Sequence, residues 1–145
     1  TERVRLLALL QPIEADTLPA LGAGIWALDR GDTAAAVTTL APLADSLPPA
    51  KGGAEIALLL GRVSVARGDT PGAERWLRRA VTDSVAATSP AAESALARFL
   101  AARGRRGEAI AALQHLILTW PTSAVVPEAR RLLEQLLAPA PGAAT

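Results

Sequence analysis

The chain has 145 residues, a length that suits one domain. It holds no cysteine, which excludes disulfides and thiolate metal sites. Fifteen basic against 14 acidic residues leave a net charge of +1, which argues against general nucleic-acid binding. Half of the residues are hydrophobic, 3% are aromatic and alanine dominates, a composition suited to closely packed helices. No apolar run reaches the ~18 residues of a membrane span. One lysine, Lys51, stands against many arginines, and with so much Ala and Gly this bias suggests a GC-rich bacterial source.

Three stretches of the chain are near copies: LDRGDTAAAVTTL (28–40), VARGDTPGAERWL (65–77) and AARGRRGEAIAAL (101–113). Their glycines, Gly31, Gly68 and Gly104, set a period of 37 and then 36 residues. A period of that length indicates stacked supersecondary units.

In chain order, residues 1–11 come first. One period before Pro48, Leu40 and Leu43 stand Pro12, Val4 and Leu7, so 1–11 reads as the second helix of an earlier, cut repeat. Its VRLLALL run lacks the start, the basic leader and the cleavage site of a signal peptide. Repeat 1 spans 18–48, repeat 2 spans 54–85 and repeat 3 spans 91–121. Each consists of two helices joined at the glycine, which fits a left-handed helix end. The first helix of repeat 2 carries the stripe Ile56, Leu59, Leu60, Val63, Ala66. Asp32–Thr33 and Asp69–Thr70 supply N-caps for the second helices, and Pro71 suits a first turn. In the third copy Arg105–Arg106 replaces Asp-Thr, so the cap must differ, with Gly107 as a helper.

Counted from each glycine, an alanine recurs at plus five (Ala36, Ala73, Ala109) and a leucine at plus nine (Leu40, Leu77, Leu113). An apolar residue follows at plus twelve (Leu43, Ala80, Leu116). This spacing puts them on one helical face, the alanine admitting the paired helix and the leucine filling the space beside it. Pro42 should kink or shorten its helix. The segments 46–53 and 82–91 read as loops, VVPEARRLLEQLLA (125–138) as a closing helix, and 139–145 as a flexible tail.

The pattern resembles the tetratricopeptide repeat, a helix–turn–helix unit of ~34 residues. The likeness lies in Leu60–Gly61, in Ala23–Gly24 and Leu96–Ala97 in part, in an A-x3-L at each plus-five position, and in Pro48 and Pro121. It implies an all-α, right-handed helical-hairpin solenoid of about eight helices, a single array over 1–138. It also implies a concave groove lined by the first helices. The family's groove positions fall on Leu21, Ile25 and Leu28, on Leu58, Arg62 and Val65, and on Ser94, Arg98 and Ala101, continued by Arg130 and Glu134. An apolar section followed by the arginine pair Arg62 and Arg98 would suit a peptide segment with apolar anchors and an acidic residue. Internal pairing of these arginines with Glu55, Glu93 or Glu134 is the competing expectation.

No arrangement of residues singles out a catalytic, metal or cofactor site. His115 reads as a packing or surface histidine in preference to a metal ligand with Glu108 or Asp83. The glycines of LGAGIW (21–26) read as helix packing, and Arg103, Arg105 and Arg106 as a solvated corner. Arg75, Arg78 and Arg79 read as a solvated outer face. Trp26 and Phe99 share one repeat position and, with Trp76 and Trp120, read as core.

The expected function is a non-catalytic scaffold for a protein or peptide partner, or a part of a larger assembly. A regulatory or sensory domain of a longer enzyme or transcription regulator is the alternative. Residues 105–136 also resemble bacterial envelope repeat proteins, namely outer-membrane assembly lipoproteins and the Tol–Pal coordinator. That likeness rests on Glu108–Ala109–Ile110, Pro121-x-Ser123 and Pro127–Glu128–Ala129–Arg130, and points to the periplasm or envelope ahead of the cytoplasm. If the repeat alignment is right, Ala73→Arg overpacks a helix pair and costs at least ~1–3 kcal/mol. Thermal melting checks this, and an unchanged curve contradicts the alignment.

Overall fold

The computed structural model describes residues 18–82 and 85–139. The expected helix at 1–11 and nearly all of the tail lie outside them. The described residues form seven α-helices and no strand. These are α1 (Leu18–Asp29), α2 (Thr33–Ser46), α3 (Gly53–Arg67), α4 (Thr70–Thr82), α5 (Ser89–Ala102), α6 (Arg106–Thr119) and α7 (Val126–Leu137). A 3-10 turn, Pro49–Lys51, joins α2 to α3. The fold class is all-α, built of helical hairpins. The chain divides into two compact units at Ser89/Pro90.

The first unit contains the hairpins α1–α2 and α3–α4, with α2 packed along α3. The turn inside each hairpin is built the same way. Gly31 and Gly68 take φ of 79° and 74°, a left-handed conformation that costs glycine little. The glycine N–H bonds back to Leu28 O or Val65 O, and the next N–H to Ala27 O (2.8 Å) or Ser64 O (2.9 Å). That is a Schellman closure, which satisfies carbonyls left open at the helix end. Asp32 Oδ1 then accepts from Ala35 N at 3.1 Å and Asp69 Oδ1 from Gly72 N at 3.2 Å, starting the second helix with a side-chain cap.

The two helices of a hairpin meet where a leucine sits on a glycine. Leu40 and Leu77, both fully buried, lie over Gly24 and Gly61. A β-carbon on Gly61 would stand 2.6 Å from Leu77 Cδ2, and one on Gly24 would overlap the Leu40 side chain. Ala36 and Ala73 are fully buried on the same faces. The glycine in both first helices of this unit is therefore needed for close approach; the sequence reading gave helix packing to Gly24 and close approach to the plus-five alanines, and gave no such role to Gly61.

In the second unit Gly104 repeats the turn, with φ of 76° and Arg105 N bonded to Leu100 O at 2.9 Å. Arg105 makes no side-chain cap. Instead its guanidinium grips the Glu108 carboxylate in the first turn of α6, with Nη2 to Oε1 at 2.9 Å. Gly107 lies in the first turn of α6, with open space where a β-carbon would stand. Ala97, at the place of Gly24 and Gly61, shares one core cluster with Leu113, Leu116, Val126 and Ala129, so α5, α6 and α7 pack together. Leu132, Leu133 and Leu136 close on that cluster from α7.

Pro42 does not shorten α2, which runs on to Ser46. Pro42 is exposed, and so is Thr38, whose carbonyl has no N–H of residue 42 to accept from. Glycine substitutions separate close approach from helix propensity. Gly61→Ala is expected to destabilise by about 1–2 kcal/mol through overpacking on Leu77. Gly107→Ala, in open space on a helix, is expected to stabilise by up to ~1 kcal/mol. Chemical denaturation of the two variants checks the opposite signs.

Candidate partner-binding faces

The residues expected to line a groove fall on the first helices, and their exposure differs. Leu21 and Leu58 were expected to contact a partner, but they are 0% and 7% exposed and belong to the core. Ile25, Leu28 and Arg62 are half-buried. Val65 is 48% exposed, a large apolar residue left in water. Arg62 makes an interaction within the protein, so it does not stand as a free charge awaiting an acidic ligand.

In the second unit Ser94 is buried, and Arg98, Arg130 and Glu134 are exposed. Arg98 Nη1 lies 2.9 Å from Glu128 Oε1, at the start of α7. Glu128 was not among its expected partners. Both side chains are 52% exposed. A pair so hydrated contributes at most about 1 kcal/mol, so a competing carboxylate could displace Glu128 at little cost.

A second polar pair was missed from sequence. Glu93 is buried in α5, and its carboxylate meets His115 Nδ1 of α6 at 2.9–3.0 Å, with the imidazole mostly in solvent. Glu93 stands one and two periods after Ala57 and Ala20. A carboxylate where earlier copies have a small apolar residue was the available signal. A buried carboxylate needs a donor, and an exposed histidine supplies one. Among the described residues, no three His, Asp or Glu converge in a way that could hold a metal ion.

The arginines divide by reach. Arg78 pairs with Glu74 one turn away at 2.9 Å. Arg75 and Arg79 both lie over the Trp76 ring, at 4.8 and 5.6 Å from its centroid. Arg79 does more than cover a solvated face, because it bonds Asp45 and the Ala44 carbonyl at the end of α2. It thereby ties the second hairpin to the first, and a cation at a helix C-terminus is favourable there. At the other arginine corner, Arg106 Nη2 reaches Ala138 O at 3.3 Å.

The aromatic residues also divide. Trp76 and Phe99 are buried, at 4% and 8% exposure. Trp26 was expected in the core with Phe99, and it is 61% exposed, with Arg30 above its ring. Its position in the second repeat is Val63, which is buried where α3 packs on α2. Among the described residues nothing precedes α1.

Residues 54–79 and 90–115 match the tetratricopeptide-repeat family model. The matches are 36 residues apart and cover most of α3–α4 and most of α5–α6. The hairpin α1–α2 lies outside them, yet it has the same turn, side-chain cap and leucine-on-glycine contact as α3–α4. Comparison with curated proteins gives no significant match. Repeats of this family mediate protein–protein interaction, a coarse assignment that fits the helical hairpins. Among the described residues no helix is long and apolar enough to cross a membrane.

His115→Ala should cost ~1–3 kcal/mol, since it leaves the buried Glu93 carboxylate without that donor. The double variant Glu93→Ala/His115→Ala should recover most of the loss, because Ala57 fills the equivalent place in the second repeat. Urea denaturation of both variants tests this.

Proposed function

We propose that this chain is a non-catalytic interaction module that captures an extended or helical segment of a partner protein. The observation that carries the reading is Val65, an exposed apolar side chain on α3 beside the half-buried Arg62, with the half-buried Ile25 and Leu28 at the equivalent places on α1. Apolar side chains held in water on a rigid helix gain by covering, at roughly 25 cal/mol per Å² of apolar area removed from solvent. Helices lining a groove suit a segment read through a few spaced anchors. Arg98 and Arg130 give the second unit an exposed cationic face. A partner bearing an acidic residue fits it, because its carboxylate can take the place of Glu128 on Arg98.

A bacterial envelope location is part of the same proposal and rests on the Glu108–Ala109–Ile110, Pro121-x-Ser123 and Pro127–Arg130 likeness. Fractionation of the source cell tests it.

Partner capture from the source cell, with variants compared side by side, tests the binding reading. Val65→Asp and Leu28→Asp should each abolish capture of partners that the wild type retains, with helicity unchanged by circular dichroism. Arg98→Glu should lower affinity for an acidic partner by about 1–2 kcal/mol, or roughly tenfold. Identical partner sets for wild type, Val65→Asp and Leu28→Asp would contradict the assignment of this face.

A further inference from the structure

We propose that α7 carries a self-complementary stripe through which two copies of this chain pair, antiparallel, about a two-fold axis. Pro127, Arg130, Glu134 and Leu137 follow one another at spacings of three, four and three residues, which puts them on one side of α7. All four are exposed, Leu137 to 56%. The side of α7 that packs on the core cluster holds Val126, Ala129, Leu132 and Leu136 instead. Glu128 lies off the stripe and is held by Arg98 at 2.9 Å. Among the described residues Arg130 and Glu134 form no ion pair. They stand one turn apart on one helix, but a cation placed before the anion is the poorer order for such a pair.

The charges choose the occupant. Two copies of α7 crossing antiparallel at the level of residue 132 set Arg130 of one against Glu134 of the other. A two-fold contact repeats every pair, so both charges of both copies are matched. The same register sets Pro127 against Leu137, also twice, so each end of the stripe is apolar. Parallel pairing would set arginine against arginine and glutamate against glutamate, which like-charge repulsion disfavours. A wholly acidic segment would match Arg130 and repel Glu134, whereas a second α7 answers both. Leu133, half-buried beside Glu134, borders the stripe and adds apolar area to the contact. One short helix buries less area than a stable dimer needs, so the dissociation constant is on the order of 0.1 mM. This inference stands apart from the partner-binding reading, whose deciding residues are Val65 and Leu28. Arg130 serves both, so self-pairing occupies a charge which that reading offers to a partner.

Sedimentation equilibrium of the full chain over a concentration series tests it. The wild type should dimerise reversibly, and more weakly as salt rises. Arg130→Glu and Glu134→Arg should each weaken association at least about tenfold. An equimolar mixture of these two variants restores both ion pairs and should associate about as well as the wild type. Leu137→Asp should abolish association with helicity unchanged by circular dichroism. Val65→Asp should leave it unchanged, which separates this contact from partner capture. A wild type that stays monomeric up to about millimolar concentration overturns the proposal and leaves the stripe to a different protein. Single charge variants that associate like the wild type overturn it too. So does a mixture that fails to associate while both variants remain helical.

Discussion

A leucine seated on a glycine of the facing helix sets the geometry on which the rest depends. In the first unit Leu40 meets Gly24 and Leu77 meets Gly61, each leucine fully buried and each glycine without space for a β-carbon. Helix backbones brought this close gain many dispersion contacts per residue, which a chain with few aromatic side chains requires. Ala36 and Ala73 extend the same close seam. In the second unit Ala97 stands at the glycine position and Leu113 at the leucine position of one shared cluster. The methyl group fits there, so the contact tolerates one carbon more in that copy.

The turns hold this contact in register. A left-handed glycine and a Schellman closure recur at Gly31, Gly68 and Gly104. The caps that follow differ in chemistry but act at the same place: an aspartate carboxylate bonded to a backbone N–H in two copies, and an Arg105–Glu108 ion pair in the third. The turn therefore depends on the glycine, and the capping residue is the variable part.

Much of this was legible in the sequence. The plus-five, plus-nine and plus-twelve positions are buried in all three copies, because burial inside a hairpin depends only on the period. What escaped does not depend on the period. Trp26 has the register of a core residue but is 61% exposed on α1, the first described helix. Arg79 and Arg98 have long side chains, and their partners, Asp45 and Glu128, are 34 and 30 residues away in other helices. Glu93 breaks the small-residue pattern and needed a donor that spacing alone did not supply. The groove positions came from family likeness, which placed Leu21 and Leu58 correctly on the first helices but could not say that both are buried.

The functional account follows from what remains exposed once the hairpins are closed. Val65 and the half-buried Ile25 and Leu28 are apolar surface left in the first unit, and in the second Arg130 is exposed beside an Arg98 whose pairing with Glu128 is itself hydrated. In the first unit it stands on helices fixed by the leucine-on-glycine contact, and in the second on helices packed around Ala97 and Leu113. Proton–proton distances in solution test that contact most directly. The account predicts strong cross-peaks from the Leu40 methyls to the Gly24 α-protons, from Leu77 to Gly61, and from Leu113 to the Ala97 methyl. Absence of the Leu40 or Leu77 cross-peaks in a folded, fully helical chain would contradict it.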